Sequence, residues 1–151
     1  MTFLLPLFSL LLAPAGLAQS EFFHTKVGEY GLASSDIVLF VDYSKPITAH
    51  RFFVYDVRTR RILHQDFVGH ARKSGVSVPH TFSNKPGSYM SSLGRYRIGE
   101  SYRSQTYGTS VRLHGLDPGN SKAFERSIVV HEVEGGIVMT QSRFDDLYSK
   151  G

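Results

Sequence analysis

The sequence predicts a mainly β domain with short helices, and three observations carry that expectation. The 151 residues combine 41% hydrophobic with 20% charged residues, the balance of one compact domain rather than of a disordered or fibrous chain. Eleven Phe and eight Tyr supply ample core volume. These residues fall in short runs rich in β-branched and aromatic side chains, not at helical spacing.

The chain opens on an apolar run over residues 3–12, followed by Ala13, Pro14 and the small residues Gly16 and Ala18. This pattern predicts a secretory signal peptide over residues 1–18, cleaved after Ala18, although no basic residue precedes the apolar run. The run falls short of the about 20 apolar residues that a membrane-crossing helix needs, so the mature chain is expected not to be an integral membrane protein. Residues 19–36 mix charged, aromatic and small side chains without a clear period and form a lead-in segment. The main domain then spans residues 37–151.

Its first element is Asp36-Ile37-Val38-Leu39-Phe40-Val41-Asp42, apolar without alternation, as expected of a strand buried on both faces. Tyr43-Ser44-Lys45-Pro46 ends it, because Pro lacks the amide donor a ladder requires. Residues 51–57 and 61–69 flank Arg58-Thr59-Arg60 and read as a hairpin. In its second arm Ile62, His64, Asp66 and Val68 share one face while Arg61, Leu63, Gln65 and Phe67 share the other, so the pattern leaves the wet side unassigned. Residues 70–92, rich in Ser, Gly, Pro and Lys, form a long connection. Connections of that length inside a compact domain are usually functional or mobile.

A strand resumes over residues 94–100, with Tyr96 and Ile98 facing the core, and another covers residues 110–113. Residues 120–126 fit a helical turn leading into Ser127-Ile128-Val129-Val130-His131, an apolar strand that ends in histidine. Ser142-Arg143-Phe144-Asp145 has the form of a capping box that opens a helix towards Lys150.

Composition narrows the chemistry. The net charge of +4 and pI near 9.4 suit an anionic partner, but the cations are scattered rather than gathered in a run. A carboxylate-bearing polymer or an anionic envelope surface fits that pattern; nucleic acid is not expected. The chain has no cysteine, so disulfides, Cys-based zinc sites and thiol chemistry are excluded. None of the seven histidines pair at the helical i, i+4 spacing of a zinc site, and neither a Gly-rich phosphate loop nor a Gly-x-Ser-x-Gly elbow occurs. No metal and no cofactor are expected.

What remains is an ordered constellation. Val41-Asp42-Tyr43-Ser44-Lys45-Pro46 precedes Gly69-His70, then Ser83-Asn84-Lys85-Pro86-Gly87-Ser88, Ser91-Ser92-Leu93-Gly94-Arg95-Tyr96, Ser110-Val111-Arg112-Leu113-His114-Gly115-Leu116 and Ile128-Val129-Val130-His131. Together these segments resemble the YkuD-like L,D-transpeptidase catalytic domains that remodel bacterial peptidoglycan, over residues 37–131. The resemblance implies a β-sandwich or barrel with short helices. It also implies a cysteine that attacks the acyl carbonyl of a stem peptide after a diamino acid, giving a thioester that an amine from a neighbouring stem opens. An imidazolium beside that cysteine favours the thiolate, since an unperturbed thiol titrates near 8.5.

By resemblance His131 is the catalytic imidazole, and His70, Ser91, Ser92 and Gly94 are substrate-binding positions. Read from the residues alone, Ser91, Ser92 and Gly94 form a turn into the next strand. Arg95, Arg97, Arg103 and Arg112 read as solvated faces, one of which could hold a stem-peptide carboxylate in a fork.

The resemblance breaks after His131. Where the family has a small residue, a helix, and a Gly-Arg-Leu-Gly-Arg-Ser-like segment leading to Gly-Cys, this chain has Glu132 and later the segment from Ser142 to Gly151, with no cysteine. The expectation is a domain incomplete at its C-terminus, lacking the nucleophile and the oxyanion-binding backbone beside it, and therefore inactive. It is expected to be exported to the periplasm or cell envelope, to meet peptidoglycan stem peptides, and to be a monomer. The alternative is a non-catalytic exported peptidoglycan-binding module. An unrelated exported β-sandwich adhesin or inhibitor would require the ordered match to be chance.

Overall fold

The computed structural model describes residues 2–7, 17–133 and 136–141. The fold is mainly β, with one helix and a short 3₁₀ turn. In chain order the elements are β1 (Thr2–Leu7), α1 (Leu17–Glu29), β2 (Ile37–Asp42), β3 (Phe52–Asp56), β4 (Arg61–Asp66), β5 (Val68–Gly69), β6 (Tyr96–Ser104), β7 (Gly108–Gly115), the 3₁₀ turn Pro118–Asn120, β8 (Ile128–Val133) and β9 (Gly136–Gln141). The expected helix beginning at Ser142 lies outside the described residues.

The strands form one sheet in the order β4-β3-β2-β1-β6-β7-β8-β9-β5. The two ends of that order are nearly contiguous in sequence, because only Phe67 separates β4 from β5. In effect the run expected as a single strand over residues 61–69 changes partner midway. Its first part pairs antiparallel with β3, and Val68 and Gly69 pair parallel with β9. Phe67 bridges the change by accepting a hydrogen bond from the Ile137 amide. The sheet thereby folds back on itself into a sandwich, which is why residues from strands far apart in its order share one interior.

That interior is built by Val41, Phe52, Val68, Tyr96, Leu113 and Ile128, contributed by β2, β3, β5, β6, β7 and β8. A second cluster lies on the other face of β2 and β3, where Val38, Phe40, Phe53 and Tyr55 pack against Phe23, Val27 and Leu32. The ring of Phe23 stacks on Phe40 at 4.3 Å. β2 is thus buried on both faces, as its unbroken apolar run predicts.

Helix α1 (Leu17–Glu29) overlaps the lead-in segment, for which the sequence shows no clear period. Its local pattern is poor, but Phe23 and Val27, at i and i+4, are buried against the sheet with Phe22 packed beside them; tertiary burial supplies what periodicity does not. In β4 the half-buried Ile62 joins the α1 cluster while Leu63 is 55% exposed, which assigns the side the alternation left open.

The segment expected as a cleaved leader also carries structure. Thr2–Leu7 runs parallel to β2 along its whole length, and Phe3 and Leu4 pair antiparallel with Arg97 and Tyr96 of β6. β1 therefore stands in the middle of the sheet.

Candidate functional site

β8 and its neighbours set the position of His131. Across the sheet, Ser110 of β7 lies opposite His131, His131 opposite Val138 of β9, and Val138 opposite Gly69 of β5. Two interstrand steps separate Gly69 from His131, about 10 Å at the usual spacing. The topology thus carries the start of the 70–92 loop to the neighbourhood of His131, although 60 residues of sequence lie between His70 and His131.

Ile128 and Val130 point into the interior core, so Val129 and His131 take the opposite face. There the imidazole is 4% exposed and stacks on the Tyr107 ring at 4.3 Å with an interplanar angle of 21°. Its Nδ1 lies 3.2 Å from the Glu132 carbonyl oxygen. A carbonyl only accepts, so this hydrogen bond assigns the proton to Nδ1 and leaves the lone pair on Nε2. Nε2 is buried and has no hydrogen-bond partner among the described residues. A buried, unpaired acceptor is costly where nothing serves it.

His70 is placed differently. Its Nδ1 lies 2.7 Å from Nη2 of Arg51, a donor only, so Nδ1 accepts and Nε2 carries the proton it donates to the Gly75 carbonyl at 2.8 Å. Both ring nitrogens are engaged. Burial holds the imidazole below its ordinary value of 6.5, and the Arg51 charge adds to the effect against the opposing Gly75 hydrogen bond. Arg51 is itself buried and donates to the carbonyls of Val68 and Lys45. His70 and Arg51 together fasten the beginning of the loop to β5.

The two serines close the same loop. Ser91 Oγ accepts from the Ala71 amide at 3.0 Å, and the Ser91 amide donates to Ser74 Oγ at 2.8 Å. Ser92 Oγ donates to the Ser83 carbonyl and accepts from Arg126, while the Ser92 carbonyl accepts from the Tyr96 hydroxyl. Both serines are buried, so their hydroxyls organise the loop. Gly94 has φ +129, and a Cβ there would fall 2.9 Å from both Asn120 Nδ2 and Asp117 Oδ2. The position admits only glycine, because the backbone must approach the Asp117–Asn120 turn closely. Arg95 is committed to that turn, with its Nη2 2.6 Å from Asp117. The hydrogen bonds from Arg95 hold the Asp117 carboxyl below the usual carboxylate range.

Two participants left no mark in the sequence reading. Arg126, 2% exposed, donates to the Ser83 carbonyl and Ser92 Oγ and to Ser88 Oγ and the Met90 carbonyl. One guanidinium therefore gathers residues 83–92 at the foot of β8. Tyr107 covers His131 from the β6–β7 turn. In sequence Arg126 is one more scattered cation and Tyr107 a turn aromatic; only the folded register brings them to the site. Among the described residues no group of three or more His, Asp or Glu gathers as metal ligands would, and no helix is long and apolar enough to cross a membrane.

The model of one protein family, the L,D-transpeptidase catalytic domain, matches residues 18–143. No curated protein and no solved structure gave a match.

Proposed function

The chain belongs to the L,D-transpeptidase catalytic-domain family, and on that premise we propose that it is an exported cell-envelope protein which holds peptidoglycan stem peptides beside His131 without performing acyl transfer. The observation that carries this reading is the state of His131, a buried imidazole whose Nε2 lone pair meets no described partner. In the family's reaction that nitrogen takes the proton of a thiol and then faces the thiolate. These 151 residues contain no thiol. Ser91 and Ser92 offer no substitute, since they are buried in the loop and bonded within it, and Ser110, opposite His131, turns its hydroxyl to the Gly108 carbonyl. What is left is a nitrogen able to accept a hydrogen bond from a substrate amide or ammonium, two interstrand steps from Gly69, where the 70–92 loop held by His70, Ser91 and Ser92 begins.

Export rests on the apolar leader over residues 1–18 and fits the cell-wall substrate of the family. The second reading, a dedicated peptidoglycan-binding module, describes the same chain by what survives when the nucleophile is missing.

The test uses the purified full chain. It is expected to co-sediment with purified sacculi, to be retained less strongly in His131→Ala, to leave muropeptides unchanged, and to show no mass increase with a thiol-reactive β-lactam. Turnover of a muropeptide by homogeneous protein, or equal retention of the His131→Ala variant, would overturn the proposal.

A further inference from the structure

The face of β6 and β7 that carries Ser110, opposite His131, also carries a layered group of side chains that the reading above does not use. At its base is Gly99, where a Cβ would come 2.7 Å from His114 Nε2. The missing side chain lets the His114 imidazole lie down on the strand. On that ring stacks Phe124, with centroids 4.8 Å apart and planes at 14°. Arg112 fills the flank, its guanidinium 4.3 Å from the Tyr102 centroid and 5.5 Å from that of Phe124. Glu100 ties the group together through Arg112 Nε at 3.1 Å and His114 Nε2 at 3.6 Å.

The outer part of this group is open to solvent: Phe124 is 49% exposed and the Glu100 side chain 58%. It is also continuous with the His131 site. Tyr102 lies opposite Ser110, and Ser110 opposite His131, so the three share one row. Arg112 stands two residues along β7 from Ser110, about 7 Å at the usual rise. Residues directly opposite in an antiparallel ladder share a face.

We infer that Phe124, His114, Arg112, Tyr102 and Glu100 form a saccharide-binding shelf that seats a pyranose ring of the glycan strand next to the stem peptide at His131. The inference rests on the peptidoglycan reading and adds a carbohydrate subsite to it. Three features select a sugar. Phe124 offers a flat apolar ring held in place from behind by His114, which suits the C–H face of a pyranose. Glu100 and His114 supply an acceptor and a ring nitrogen at its rim, where equatorial hydroxyls project. Arg112 already occupies the cation position against both Tyr102 and Phe124, so a cationic ligand meets like charge there.

The experiment follows amide shifts of the isotope-labelled full chain titrated separately with a tetramer of β-1,4-linked N-acetylglucosamine and with a synthetic stem peptide carrying a central diamino acid. The saccharide is expected to move residues 99–102, 112–114 and 123–125. Phe124→Ala should weaken its binding about tenfold, and Phe124→Trp should keep it. The exposed position of Phe124 keeps the fold of these variants intact, which their unperturbed spectra outside the shelf would verify. His131→Ala should leave saccharide binding unchanged. A response to the peptide around His131 with none to the saccharide sinks the shelf and leaves the peptidoglycan reading standing. Silence towards both ligands sinks both. Saccharide binding that Phe124→Ala does not weaken also overturns the shelf.

Discussion

At the scale of single residues, His70 and His131 show how one residue type takes opposite tasks. His131 keeps an Nε2 lone pair with no partner among the described residues, whereas His70 spends both ring nitrogens on Arg51 and Gly75. His70 consequently makes stability depend on pH. Its folded-state value lies below the ordinary 6.5, so below about pH 6.5 the unfolded chain binds more protons than the native one. Stability from this group is complete above that point and is lost as pH falls towards the folded value. The melting temperature is expected to decline over this interval and to decline less in His70→Gln; equal slopes for the two proteins would remove His70 as the cause. Arg126 permits a second prediction. Arg126→Met strips the Ser83 and Met90 carbonyls and the Ser92 hydroxyl of a charged donor in a buried place. Urea unfolding should register a loss of about 2–3 kcal/mol, with Arg126→Lys recovering part of it.

At the scale of elements, the sequence was readable where one physical signal governs a segment. The unbroken apolar run of β2 and the turn chemistry of residues 70–92 survive in the structure, whereas the apolar strand expected to end at His131 runs on to Val133 and places the histidine inside β8. What local pattern could not show is pairing. Nothing in residues 61–69 announces that the strand leaves β3 for β9, since each half alternates alike and the switch is a matter of which edge lies near. β9 and α1 were missed for the same reason, their stability coming from neighbours distant in sequence. Among the proposed site residues, His131 was legible as the histidine of an apolar strand, though it lies within β8 and not at its end; the buried duties of His70, Ser91 and Ser92 depend on partners that no spacing rule reveals. The outer side of β4 offers a check on the sheet's edge. Leu63 is 55% exposed there, and exposed apolar edge strands invite intermolecular pairing. Leu63→Lys should change unfolding free energy by less than about 0.5 kcal/mol yet reduce concentration-dependent light scattering. A large loss of stability would show that β4 is covered rather than open.

At the scale of the whole molecule, the open question of consequence is the double character of the first residues. The apolar run that makes residues 1–18 read as a leader also makes Thr2–Leu7 a good central strand, because both roles demand a short segment without charge. Removal of the leader would take β1 from between β2 and β6 and leave two strands facing one another across a vacant position. Those strands carry Val41 and Tyr96 of the interior core and Phe40 of the helix-side cluster, so the damage would not stay at the margin. A chain beginning at Gln19 is therefore expected to be less stable than the full chain by about 3–5 kcal/mol, from a handful of backbone hydrogen bonds at about 1 kcal/mol each. It should bind an apolar-surface dye that the full chain ignores, and its β2 and β6 amides should exchange fastest relative to the full chain. Intact mass of the protein recovered from the cells that make it would establish which of the two chains accumulates. Identical sharp melts for both chains, with no dye binding by either, would mean that β2 and β6 close on each other and that β1 is dispensable to the sheet.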